Sequence, residues 1–581
     1  MSVTRFECLP NELVFEIFEY FDKCALYYSF YSLNTRLSYL LTAKQWYLLN
    51  FINSNKLTFA RVCQNIIPQY IRSLSLYNRH SPITECSIII NQIPMFFSLF
   101  SVVELVNLCT LKLFDIKEHE LKLISFDLYN LSYLLIELDS RRTTQQCFSE
   151  TFLFLLLSNA IPTLRRLSFS ANGTVIDFKQ QVATTTSNIE YLSMNNICID
   201  HMEQLLKYVP RLKYFSYSID TSYPEFYTIT VNNLQSIVSN LVCLKLKFNF
   251  KLDFGYIETV LGEFPKLKYL TLEVTTCMED KKLVDGNHWK QLIQRYLPLL
   301  TKFSFLFKIG TAIPVDIDTF RTSFWFDEHR WFVQYDHHIN NMYSYVYTHP
   351  YINRQFDIEA ISTCTTVRTA PLFLQRTMYN NVRQLSLTFT IFGETILSDR
   401  YYSNISTLKI SNEHKIYISF YKLRTLINLS TIKLLIFDNN KTQIIYRLFK
   451  YLPNLNSLYL YDSHLIQITN IFDSYLNEKI QKIFINLSTS ISNRQLENLF
   501  RTFSNLDELH IRIDNIDDIL LIINKMRKLS FLFVQCSDEQ RLRQLDDIRQ
   551  WLMENTLLNN NFNLIQQASN ELHIWIDRYC L

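Results

Sequence analysis

The amino-acid sequence predicts an α/β fold, a solenoid of stacked helix–turn–strand units whose strands form a parallel β-sheet on a concave face, behind a small all-helical N-terminal segment. Three observations carry the prediction. Apolar residues recur at positions 1, 4 and 6 of a short segment along most of the chain. The positions between them are largely polar, and prolines fall at one fixed offset ahead of position 1.

The recurring segment includes LRRLSF (164–169), LKYFSY (212–217), LKYLTL (267–272), VRQLSL (382–387) and LNSLYL (455–460). Sixteen copies begin at 71, 108, 131, 164, 189, 212, 241, 267, 300, 382, 405, 429, 455, 480, 506 and 529, so most steps are 23 to 33 residues, with two of 37 and 82. A strand turns alternate side chains to opposite faces, which makes positions 3, 5 and 7 an independent test. They hold only eight of A, V, I, L, M, F, W or C in 48 places, as a half-buried strand requires. Pro162, Pro210, Pro265, Pro298 and Pro453 each stand two residues before position 1, after stretches of helical apolar spacing such as HMEQLLKYVP (201–210). Proline ends a helix and favours an extended chain next to it. A single unit of this kind cannot bury its own apolar edge, but neighbours stacked side by side can.

These segments resemble leucine-rich repeats over roughly residues 68–536. The resemblance implies a horseshoe-shaped solenoid over 46–581. Family repeats often place Asn or Cys three residues after position 6; here Asn172 and Asn249 do so clearly. The long step between 300 and 382 contains TSFWFDEHRWFVQYDHH (322–338) and MYSYVYTH (342–349), which read as aromatic strands around a turn, an insertion over about 308–381. A polar helix (538–555) and a last strand, NELHIWID (570–577), are expected to cap the array over about 537–581.

Bulk properties narrow the function classes. The chain has 581 residues, 48% hydrophobic and 19% charged, enough to bury a large core. Lys and Arg total 57 against 54 acidic residues, so no global field marks nucleic acid or a membrane surface as partner. Twelve cysteines are scattered without a C-x-x-C pair, which reads as reduced intracellular thiols in the cytoplasm, the nucleus or both. The N-terminus lacks a secretory apolar region, and no apolar run of membrane-spanning length follows. The six glycines never form G-x-G, so a phosphate-cradling loop and a nucleophile elbow are not expected, nor is a cofactor.

Residues 9–41, LPNELVFEIFEYFDKCALYYSFYSLNTRLSYLL, differ from everything after them. Leu13, Val14, Ile17, Phe18 and Phe21 share one helical face, with Pro10 at the helix start and Glu12 in the first turn. Leu26, Tyr27, Phe30 and Leu33, then Arg36, Leu37 and Leu40, suggest two further short helices. Leu9, Pro10, Glu12, Leu13, Ile17, Phe18, Tyr20 and Phe21 resemble the opening of the F-box, a helical module of roughly 40 residues, here 1–45. Within residues 9–41, Leu33-Asn34-Thr35-Arg36 stands without the tryptophan of the family's Lys/Arg-x-Trp. The resemblance implies that Leu9, Pro10, Leu13, Ile17, Phe18 and Phe21 dock an SKP-family adaptor and through it a cullin. The chain would then be a non-catalytic substrate receptor of a ubiquitin ligase, the alternative being a ligase-independent repeat scaffold for protein interaction.

On the concave face, Tyr133, Tyr191, Tyr214 and Tyr269, with Tyr459, Tyr461, Phe531 and Phe533 further on, are anchors of the kind enriched in protein interfaces. Basic residues there, among them Lys245 and Lys247, outnumber acidic ones nine to three, which points to a protein target with an acidic segment. The cluster Asp327, Glu328, His329, Asp336, His337, His338 and His349 lacks the i, i+4 histidine spacing of a metal site and reads as the polar edges of an aromatic hairpin. No catalytic residue and no metal ligand is assigned.

Overall fold

The computed structural model describes residues 9–19, 26, 30, 33–43, 47–51, 56–78, 92–124, 127–138, 147–157, 159–171, 186–195, 202–219, 234–249, 253–278, 280–310, 313–338, 343–358, 364–371, 374, 377–389, 400–412, 420–437, 448–449, 451–461, 479–486, 490–537, 548–556, 558, 562–568 and 571–576. The chain divides into two compact units, residues 1–81 with 88–331, and residues 332–581.

In the first unit ten strands succeed one another: β1 (Tyr47–Asn50), β2 (Ile71–Tyr77), β3 (Thr110–Ile116), β4 (Tyr133–Leu138), β5 (Arg166–Ala171), β6 (Tyr191–Asn195), β7 (Tyr214–Ile219), β8 (Cys243–Phe248), β9 (Tyr269–Met278) and β10 (Lys302–Gly310). Each pairs in parallel with the next. The register follows the repeat: Thr110, Tyr133, Arg166, Tyr191, Tyr214, Cys243, Tyr269 and Lys302, all at position 3, stand opposite one another in turn. Positions 1, 4 and 6 form the core, as Leu131, Leu134 and Ile136 or Leu212, Phe215 and Tyr217 show, all at most 1% exposed. Burial of each such side chain stabilises by about 1.5–3 kcal/mol relative to exposure.

Two backbone devices repeat from unit to unit. The N–H of position 1 donates to the carbonyl three residues earlier, Leu164 to Ile161, Leu212 to Val209, Leu267 to Phe264 and Leu300 to Leu297, at 3.0–3.1 Å. The periodic prolines occupy the second place of these turns, where a fixed φ is already right. The second device is an asparagine at position −1. Asn107, Asn130, Asn188, Asn381, Asn404 and Asn454 donate their side-chain amides to Gln69, Val106, Pro162, Tyr351, Asn380 and Ser430, each carbonyl lying two residues before position 1 of the preceding repeat. The side chains thus satisfy turn carbonyls of the neighbouring repeat.

The second unit begins with an antiparallel arrangement in which β11 (Val333–His338) pairs with both β12 (Tyr343–Thr348) and β14 (Cys364–Arg368). This is the aromatic turn expected inside 308–381. Between these strands lies β13 (Gln355–Ile358), which opens a separate sheet. It continues through β15 (Gln384–Phe389), β16 (Thr407–Asn412), β17 (Leu434–Phe437), β18 (Ser457–Tyr461), β19 (Lys482–Asn486), β20 (Glu508–Ile513) and β21 (Phe531–Cys536), all parallel. A hairpin of β22 (Phe562–Ala568) and β23 (Glu571–Ile576) ends it, β23 antiparallel to β21.

Two registers differ from the sequence reading. Gln355 stands opposite Gln384, so a repeat strand begins its pattern at Asn353, inside the expected insertion, where a polar residue hides position 1. Thr407 stands opposite Leu434, which moves the copy read at 429 to Ile432. LSTIKLLIF is apolar in both frames, and Leu429 is used in a buried 3-10 turn instead. The asparagine bonds to Tyr351 and Ser430 fit the corrected frames. Among the described residues no helix is long and apolar enough to cross a membrane.

At the N-terminus the described helices are Asn11–Glu19 and Thr35–Ala43. Asn34 accepts from the Leu37 N–H at 2.8 Å, capping the second. Val14, Phe18, Leu26, Leu37, Leu40 and Leu41 form a small core, with Leu9, Phe15 and Phe30 packed against it. Arg36 holds the start of the first helix by donating to the Leu9 carbonyl and, at 2.7 and 3.0 Å, to Asn11 Oδ1.

Candidate functional site

The strand alternation that buries positions 1, 4 and 6 leaves most of positions 3, 5 and 7 of the first unit's sheet on its open face, with Ser75, Glu273, Ser304 and Leu306 buried among them. Tyr191 is 38% and Tyr269 47% exposed, and Arg166, Lys245 and Lys302 are exposed as well. Tyr133, Tyr214 and Lys247 are half-buried. Parallel register about 4.8 Å apart forces these side chains into contact. Lys112 Nζ lies 5.5 Å from the centre of the Tyr133 ring, Arg166 Cζ lies 4.6 Å from that of Tyr191, and Tyr191 stacks on Tyr214 at 5.7 Å. Such pairs fix the rings as rigid anchors. Burial pushes the Tyr133 and Tyr214 phenols up, so both stay neutral hydrogen-bond donors near pH 7. Burial likewise raises the Cys243 thiol, against the pull of Lys302 and Lys245, so Cys243 is no thiolate nucleophile. Lys247 is paired with Glu273 at 3.1 Å.

The equivalent face of the second unit is different. Leu434, Ser457, Phe484, Glu508, His510 and Phe531 occupy positions 3 and 5 there, and each is at most 7% exposed. Lys482 bridges Glu508 at 3.1 Å and His510 bonds the other carboxylate oxygen at 2.7 Å. Phe531 is therefore not a surface anchor: it packs 5.4 Å from the His510 ring. Tyr459 is half-buried in the row of Ile436 and Phe484. Tyr461 is placed on β18 opposite Asn486, its side chain outside the described residues. The structure brings Tyr133, Tyr191, Tyr214, Tyr269, Lys245 and Lys247 onto one face and leaves Tyr459 and Tyr461 on another sheet.

The polar aromatic cluster splits between the units. His329 stacks on Trp331 at 4.0 Å in the first. In the second, Asp336 is 2% exposed and accepts from Arg400 (2.7 Å), Gln334 (2.8 Å), Tyr347 (2.8 Å) and Thr366 (3.0 Å). His349 joins through Gln334 at 2.8 Å, and burial holds its imidazole down to about 4. His337 instead bonds Tyr335 and Ser344. His338 has its side chain outside the described residues. Asp336 and Arg400 are 64 residues apart, so spacing offered no sign of the pair. Four neutral or cationic donors around one buried carboxylate make a structural clamp. Among the described residues no three of His, Cys, Asp and Glu are grouped to hold a metal.

At the N-terminal helix, Val14 and Phe18 are buried in the local core, while Leu13 is 44% exposed, Pro10 is exposed, and Leu9 and Ile17 are half-buried. Phe21 lies outside the described residues.

These sheets define the class: a mixed α/β repeat protein with large parallel sheets, of the kind leucine-rich-repeat solenoids build. No family model matches the chain, and no curated protein matches it. Among solved structures, CroV588, described as a novel circular leucine-rich-repeat protein, aligns over 76% of this chain at 12% identity and a TM-score of 0.21. The alignment spans 65% of that protein's length.

Proposed function

We propose that the chain is the substrate-recognition subunit of an SKP-cullin-F-box ubiquitin ligase, its N-terminal helices docking the adaptor and the first unit's open face holding a protein target. One observation carries the reading: on the first helix Val14 and Phe18 are buried, while Pro10 and Leu13, both in F-box register, are exposed and Ile17 is half-buried. A helical cap turned onto the repeats would bury its apolar face against repeat residues. Among the described residues, the core around Val14 and Phe18 instead draws its members from residues 9–41. The face of tyrosines and cations supplies the second half of a receptor, with anchors of interface type.

Co-purification of the full chain with an SKP-family adaptor tests this. Leu13→Asp is expected to abolish the complex and leave the far-ultraviolet circular dichroism unchanged. A folded chain that never captures the adaptor would refute the reading. The second reading, a ligase-independent scaffold, has support in Phe18, one of the six residues expected at the adaptor, which is only 2% exposed in the local core. It predicts that removing residues 1–45 destabilises the first unit.

A further inference from the structure

The open face of the first unit orders its cations and tyrosines along a single course across the strands. Lys112, Arg166, Lys245 and Lys302 stand on β3, β5, β8 and β10, at position 3 or 5. Tyr133, Tyr191, Tyr214 and Tyr269 stand on the strands between, β4, β6, β7 and β9, all at position 3. We propose that this course binds an extended acidic segment of the target, laid across β3 to β10, whose carboxylates are about four residues apart. The inference rests on the reading of this face as the target surface.

The spacing follows from the fold. The cations lie two, three and two strands apart and alternate between positions 5 and 3, about 6.6 Å along the strands, so they are separated by roughly 12, 16 and 12 Å, and an extended chain advances about 3.3 Å per residue. Glutamates at places 1, 5, 9 and 13 of a segment of about thirteen residues all take one face of the extended chain and would therefore meet the four cations in turn. The pattern reads the same from either end, so it holds for both directions of the segment. The tyrosines between them present ring faces to intervening apolar residues or prolines.

Charge argues for the acid. Positions 3, 5 and 7 of β3 to β10 carry five basic residues, with Lys247 added to the four, against Glu137 and Glu273. Glu273 is only 3% exposed and taken up by Lys247. Arg166 lies over the Tyr191 ring, and a guanidinium that stacks on a ring keeps its in-plane N–H groups for a carboxylate. Lys245 and Lys302 are exposed and form no ion pair among the described residues. Beside the tyrosines runs a row of small side chains, Ser168, Ser193 and Ser216 in mutual register, which leaves depth for a peptide backbone and offers hydroxyls to it.

Fluorescence anisotropy of the full chain with a labelled thirteen-residue peptide, glutamates at places 1, 5, 9 and 13 and valine, proline or serine elsewhere, tests the inference. This peptide is expected to bind about tenfold tighter than its glutamine counterpart, and more tightly than one with the four glutamates contiguous. Lys245→Glu with Lys302→Glu should weaken it about tenfold, while Lys433→Glu, exposed on the second unit, should not. Equal affinity for the glutamine peptide, indifference to the double reversal, binding only when the four places hold phosphoserine, or equal competition by a single-stranded oligonucleotide would each overturn it. Adaptor capture measured on the same preparation separates the two claims. Adaptor binding without peptide binding removes this inference alone, and peptide binding without adaptor binding removes the ligase reading alone.

Discussion

His349 makes the stability of the second unit depend on pH in a calculable way. The imidazole sits among Gln334, Tyr347 and Tyr379, with Asp336, Arg400 and Arg368 acting on it electrostatically, and burial lowers it from 6.5 to about 4. Between those values the unfolded chain binds a proton that the folded chain refuses. Stability therefore falls as pH drops from 6.5 toward 4, and this contribution is flat above 6.5. At pH 5, 1.5 units below the unfolded value, the loss is about 2 kcal/mol, a sizeable share of the ~5–15 kcal/mol that holds a domain folded. Urea unfolding at pH 7 and pH 5, followed by far-ultraviolet circular dichroism on the wild type and His349→Gln, isolates the effect. The glutamine can still donate to Gln334 Oε1 but cannot titrate, so the variant should lose about 2 kcal/mol less on acidification. Identical pH dependence in both proteins would refute the buried neutral imidazole.

The other predictions rest on equally local features. Arg400→Leu should cost about 3–5 kcal/mol in urea unfolding, because the Asp336 carboxylate would stay buried with its cation gone; a loss under 1 kcal/mol would refute the clamp. Asn188→Ala and Asn454→Ala should each cost about 1 kcal/mol, additively in the double variant, since each serves a separate pair of repeats. Gly286→Ala would drive a Cβ into the Thr319 carbonyl, so thermal unfolding should show about 1–3 kcal/mol of destabilisation.

The repeat was legible because it is written in period: fifteen of the sixteen segments lie in the register that their apolar positions and prolines implied, with Ile432 in place of 429 as the one shift. The missed strand at β13 has Asn353 where position 1 is apolar elsewhere, and the aromatic segments around it drew the reading toward a hairpin. The asparagine ladder stood in the sequence at a fixed offset, but attention to the turn after position 6, where the family keeps its asparagine, passed over position −1. The first unit's tyrosines were legible because alternation fixes which face a strand residue takes. That the same positions at Phe484, Glu508 and Phe531 are buried was not, because alternation says nothing of what covers a face. The Asp336–Arg400 clamp joins residues 64 apart and left no local trace.

Calorimetric titration of the purified full chain with an SKP-family adaptor tests the proposed docking through the first helix. A one-to-one complex is expected, which Leu13→Asp and Ile17→Asp eliminate and Lys245→Glu with Lys302→Glu leaves intact. No heat of binding from the folded wild type, or binding unchanged after loss of Leu13, would contradict it.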